Sequence, residues 1–337
     1  MARRFVRGLG LVLLAACTAA TVGNGQVKVP RRDRVRLAEA MRLADRLRDH
    51  IWPGWCSTPL RVLLVTDSVE FLIGHSEPSA EFARLGYDTL LRREVWTRPR
   101  QFPPTLLATF PAVSGKPTIV IGSAERTGKS STAWVLTVLH EHFHQWQSSQ
   151  PDYYPGVARL DLARGDTTGQ WMLDYAFPYD SAPVQQALRG LAIALGKALD
   201  AAPGARSSAL ERVVRARDTL RSRITEADYR YFEFQLWQEG VARFIEYAAA
   251  RAAAAESGKP PAAFEGLPDY EPYGAAAAEA RLSLRRQLEQ LAPGRQRRIA
   301  FYPLGAAMAL LLEETRPGWK LAYSARPFAL AALLSGT

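Results

Sequence analysis

His140, Glu141 and His144 stand in the order H-E-x-x-H within residues 134–147, WVLTVLHEHFHQWQ. No proline or glycine interrupts this window, and Ser130 or Ser131 stands upstream as an N-cap, so the pattern predicts a helix. On a helix, positions four apart share one face, and both imidazoles can be offered to a single ion. Glu141, about 100° round the helix, can polarise a metal-bound water without filling a coordination position. His142 is rotated roughly 200° from His140 and falls among Val135, Val138 and Trp146, so it is expected to pack rather than to ligate. Three of the chain's five histidines lie within these five positions, which favours a metal helix over a core helix carrying histidines by chance. The ion expected is Zn2+, and two histidines leave it short of a third ligand.

A second stretch, WQEGVARFIEY at 237–247, supplies candidates. Glycine inside a helix costs about 1 kcal/mol, so Glu239-Gly240 calls for a reason. Close approach of this helix to the metal helix would give one, with Glu239 completing a His-His-Glu site. Glu246, seven residues on, shares that face and can orient one of the histidines. Taken alone, both glutamates read equally as surface carboxylates on an alanine-rich helix.

Elements must bring these pieces together. Apolar residues at helical spacing predict a helix over 31–50, stopped by Pro53-Gly54. Residues 60–66 and 70–74 are strand-like, the proline-rich segment 96–115 reads as loop and edge strand, and 118–122 is a short apolar strand. Beyond the metal helix the chain turns helical, at 184–199, 208–223, 227–255, 282–291 and 304–314. The fold class expected is therefore α+β, with a small N-terminal mixed sheet and a mostly helical C-terminal half. No internal repeat, heptad array or clean linker divides it. Residues 31–337 read as one domain, with an α/β part at 31–150 carrying the metal helix and a helical part at 151–337 carrying the third ligand.

With these stretches in place, the chain resembles the gluzincin metallopeptidases, especially the aminopeptidase N group. That family carries H-E-x-x-H followed by Gln-Trp, then a helix reading E-G-x-A-x-[YF]-x-E, and a tyrosine at the head of a Y-x-x-G helix. The matching residues are His140–Trp146, Glu239–Glu246 and Tyr302-Pro303-Leu304-Gly305. The resemblance implies a zincin-like fold, with zinc held by His140, His144 and Glu239. It further implies Glu141 as general base, Tyr302 as oxyanion donor, and a peptide or protein substrate bound along the strand beside the metal helix. The chain also departs from the family. Residues 145–238 separate the second histidine from Glu239, a far longer interval than in the family, so helices are inserted there and are expected to form a wall of the cleft. The G-x-M-E-N motif that holds a substrate amino group is absent, and Gly122–Glu125 stands too close to the metal helix to replace it. Aminopeptidase specificity is not implied.

Composition excludes some classes. Hydrophobic content of 47% and charged content of 23% are those of a globular protein. The formal charge of +10 is mostly arginine spread along helices beside acidic residues, without the basic and aromatic clusters a nucleic-acid partner needs. Residues 122–130, GSAERTGKS, put five residues between the glycines where a phosphate loop needs four, so no nucleotide site is expected. Residues 1–16 read as an export signal whose end, Leu14-Ala15-Ala16-Cys17, resembles the bacterial lipobox, with 17–30 as a linker. Acylation of Cys17 would anchor the protein in a membrane of the cell envelope. Cleavage near Ala19-Ala20 would release it instead. The competing functional class is a non-catalytic envelope lipoprotein that uses the same fold as a binding module.

Overall fold

A computed structural model describes residues 27–256 and 259–335. The signal and lipobox residues, Cys17 included, lie outside them. The chain folds as mixed α+β: one six-stranded sheet in the first half, followed almost wholly by helices. Helix α1 (Arg31–Ile51) leads into strands β1 (Val62–Val65), β2 (Val69–Ile73), β3 (Ala83–Asp88), β4 (Arg93–Pro99), β5 (Leu107–Val113) and β6 (Lys116–Gly122). The longer helices that follow are α2 (Ser131–Ser149), α3 (Ala182–Leu199), α4 (Arg206–Arg221), α5 (Glu226–Gln235), α6 (Val241–Ala255), α7 (Tyr273–Glu289) and α8 (Phe301–Thr315).

The sheet order is β3-β4-β2-β1-β6-β5, antiparallel except for the β1–β6 pair. Side chains alternate between faces. Val62, Leu64, Phe71, Ile73, Ile119 and Ile121 join the main core beneath α1 and α2, while Leu63, Val65, Leu72 and Val120 build a smaller core on the other face. The main core runs without a break from α1 through the sheet to α8.

The strand expected to carry substrate is corrected by this order. Residues 118–122 lie in β6, hydrogen-bonded to β1 on one side and β5 on the other, so β6 has no free edge. The edge beside α2 is β5, out of the proline-rich segment read as loop and edge strand, with Pro111 where a missing amide costs nothing. Strands β3 and β4 were not expected as a hairpin. In β3 the run ARLGYD has almost no buried residue to supply an alternating signal. Helix α7 begins at Tyr273, well before the apolar stretch at 282, because alanines fill its first turns. No helix among the described residues is long and apolar enough to cross a membrane.

Candidate metal centre

Helix α2 begins at Ser130, whose hydroxyl accepts from the Ala133 amide, so the cap falls on the first of the two serines. Sixteen of its residues are buried, since it passes through the middle of the molecule. Behind the histidine face, Trp52, Phe143, Trp146, Trp237 and Tyr323 form an aromatic wall, with Trp237 and Tyr323 stacked at 4.5 Å. Gln145, of the Gln-Trp pair, bonds the carbonyls of Arg61 and Pro117 and pins α2 to the sheet. Rotamer freedom at the site is therefore small.

His142 lies on the far side of α2, fully buried, with Nε2 3.0 Å from the Thr58 carbonyl. A carbonyl only accepts, so Nε2 carries the proton, and burial lowers the ring's pKa to about 3. It is a packed neutral histidine, apart from the site.

His140 and His144 turn their Nε2 atoms towards each other at 3.1 Å, and Glu239 Oε2 stands 3.9 Å and 3.6 Å from them. The other ring nitrogens decide the tautomers. Glu246 Oε1 lies 2.8 Å from His140 Nδ1, and Gln147 Oε1 lies 2.6 Å from His144 Nδ1. The Gln147 amide nitrogen faces the carbonyls of Trp237 and Gln238, which fixes its oxygen towards the histidine. Gln238 Nε2 also lies 3.0 Å from His144 Nδ1, but the 2.6 Å contact with Gln147 Oε1 is the shorter, so each Nδ1 donates and in the neutral rings each Nε2 carries the lone pair. Two lone pairs and a carboxylate converging at these distances need a cation among them. Ligands at 2.0–2.2 Å around a tetrahedral ion stand about 3.3 Å apart, so the residues present fit a metal of that geometry. Among the described residues, His140, His144 and Glu239 form a group of three whose donor atoms all lie within 4.8 Å of one another.

Without a metal, a proton takes that place. Burial disfavours charge on His144, but the Glu239 carboxylate overrides it and raises the pKa to about 9. Burial likewise opposes ionisation of Glu239 and Glu246. His144 brings Glu239 down to about 2, and Arg243 with His140 does the same for Glu246.

Glu239 reaches the histidines from a wider turn. Residues Leu236–Gly240 form a single π turn between α5 and α6, a local widening common at functional sites. The expected reason for Gly240 is corrected: the close neighbour is not α2 but α8. A Cβ on Gly240 would lie 2.4 Å from Gly305 Cα, and one on Gly305 would lie 2.6 Å from Gly240 Cα. The two glycines let the Glu239 turn and the Tyr302 helix touch backbone to backbone. Tyr302, second residue of α8, is thereby set beside Glu239; burial, joined by that carboxylate, holds its pKa well above the usual tyrosine range.

Three residues of the site carried no signal in the sequence reading. Thr109 Oγ1, on β5, donates to Glu141 Oε2 at 2.7 Å and so fixes the carboxylate beside the histidine pair. Gln147 fixes His144. Arg298 donates to the Tyr302 hydroxyl and lies 3.8 Å from Glu239 Oε1. Gln147 stands one helical turn past His144 and was within reach of spacing arguments. Thr109 and Arg298 come from other elements, and nothing local marks them. No family model matches the chain, and no curated protein or solved structure matches it either.

Proposed function

We propose that the protein is a zinc-dependent hydrolase of the zincin kind that cleaves peptide bonds, with Glu141 as general base. The observation that carries this reading is the pair of Nε2 atoms 3.1 Å apart facing Glu239, each ring held from behind at Nδ1, with a separately held carboxylate next to them. A purely structural site needs no such extra carboxylate.

His140, His144 and Glu239 would hold the ion, leaving a fourth position for water or substrate. Zinc in such a site supplies Lewis acidity and lowers the pKa of a coordinated water towards ~7. Glu141, with one oxygen committed to Thr109, presents the other to take a proton from the attacking water and to pass it to the leaving amine. Tyr302 would donate to the oxygen that gains charge, a contribution of about 3 kcal/mol for one well-placed donor. An extended substrate would lie along β5, whose outer edge is unpaired among the described residues. Lipidation at Cys17 would place this activity on a membrane of the cell envelope, and peptides or proteins exposed there would be its substrates.

Incubation of the zinc-loaded full chain with a peptide library tests the reading. Cleavage blocked by a chelator, and lowered at least ~10³-fold in Glu141→Gln with zinc content unchanged, is the expected result. Undiminished cleavage by Glu141→Gln would overturn it.

A further inference from the structure

If the centre hydrolyses peptides as proposed above, the groups around it select among them. The carboxylates that touch it are all committed. Glu239 faces the two histidines, and Glu246 is held between His140 Nδ1 and Arg243 Nη1 at 2.8 Å and 2.6 Å. Glu141 accepts from Thr109. Glu125, the carboxylate considered for a substrate amine, instead binds Arg36 at 2.8 Å and 3.0 Å. None of the four is left to receive an amino group.

Arg298 is the reverse. A guanidinium has five donors, and this one uses Nη1 alone, on the Tyr302 hydroxyl. Its Nε and Nη2 make no hydrogen bond among the described residues, and the side chain is 24% exposed. Beside it, Arg297 sits at φ +52°, a backbone conformation that costs a non-glycine residue energy and persists where the surroundings impose it. The short 3₁₀ turn Arg297–Ala300 that follows sets Arg298 one helical turn before Tyr302. The Glu239 carboxylate bridges its guanidinium and the histidine pair, with Oε1 3.8 Å from Arg298 Nη1 and Oε2 3.6 Å from His144 Nε2. One residue advances an extended chain by about 3.5 Å, so a group one residue past the scissile carbonyl falls within reach of those open donors. A planar fork of donors suits a carboxylate.

We propose that Arg298 is a carboxylate receptor, selecting peptides that carry a carboxylate on the residue immediately after the scissile bond. A free C-terminus and an Asp or Glu side chain are the two sources of that group. This selection is opposite in sign to recognition of a substrate's amino terminus.

Three zinc-directed peptide hydroxamates separate the possibilities, their affinities for the zinc-loaded full chain measured by calorimetry. In one the residue after the hydroxamate ends in a free carboxylate, in the second it ends in an amide, and in the third an amidated residue bears an Asp side chain. Wild type should bind one of the carboxylate probes about tenfold or more tighter than the plain amide, and which one identifies the source. Arg298→Met should erase that difference, whatever its effect on the plain-amide affinity through Tyr302 and Glu239, and Arg298→Lys should keep part of it. Equal binding of all three probes by wild type, or equal weakening of all three in Arg298→Met, would overturn the proposal while sparing the hydrolase reading. A wild type that takes up zinc and binds none of the probes would overturn both.

Discussion

Helix α2 carries a buried polar cluster at each of two places, and the contrast between them separates scaffold from site. Near its N-terminus, Arg36 is wholly buried, and its guanidinium spends its donors inside the protein. Nε bonds Ser131 at 2.8 Å, Nη1 bonds Asp33 and Glu125, each at 3.0 Å, and Nη2 bonds Glu125 at 2.8 Å with Asp269 at 3.4 Å. The cation is built in, and the cluster is complete as the chain folds. Two and a half turns on, His140, His144 and Glu239 bring acceptors together with no cation between them except a proton on His144, Arg298 standing outside at 3.8 Å from the other Glu239 oxygen. A polar cluster that satisfies itself ties α1 to α2. One whose acceptors converge without a central cation is what the proposed metal would complete.

The contrast breaks most readily at Arg36. Replacement by Met leaves carboxylates without their cation and should cost about 3–5 kcal/mol in urea unfolding of zinc-free protein. A change under about 1 kcal/mol would mean that the cluster is not the tie described. A smaller loss, about 1–3 kcal/mol, is expected from Gly240→Ala, because the new methyl meets Gly305 backbone rather than a side chain that can move aside. That variant should also bind zinc more weakly, since the displaced turn carries Glu239. Unchanged zinc affinity would separate the glycine contact from the site.

Proton linkage gives the finest comparison. His144, raised from about 6.5 to about 9, stabilises the zinc-free fold fully below pH ~6.5, and that stability is lost as pH rises through about 9. Glu239, lowered to about 2, is the other end of the same interaction. Its contribution is present above pH ~4.3 and is lost as pH falls through about 2. Zinc must displace the His144 proton, so zinc affinity should rise up to tenfold per pH unit until about pH 9 and then level off, as read by competition with a chromophoric chelator. A flat affinity between pH 6 and 8 would contradict the assigned protonation.

What could be read in the sequence divides along the same line. The metal helix is legible because H-E-x-x-H is local, and helical periodicity alone turns His142 away from His140. Glu239 was a candidate from the oddity of Gly240 and was favoured over a surface carboxylate through resemblance, which alone supplied Tyr302; the neighbour of Gly240 was not visible. Spacing says that a glycine needs room and leaves open against what, here Gly305. Thr109 and Arg298 lie beyond sequence reasoning because their roles depend on β5 being the edge beside α2 and on α8 crossing the π turn. The six-stranded sheet was only half visible. Its central strands are apolar runs, whereas β3 lies at the solvent-facing edge and lacks the alternation that marks a strand.

The central claim is that His140, His144 and Glu239 together hold a divalent metal, and elemental analysis of the purified full chain tests it most directly. Wild type should retain about one zinc per chain after dialysis at neutral pH, as a site of three protein ligands implies. Glu239→Ala and His144→Ala should retain almost none while remaining folded by circular dichroism. A wild type without zinc, or a Glu239→Ala variant with undiminished zinc, would contradict the account.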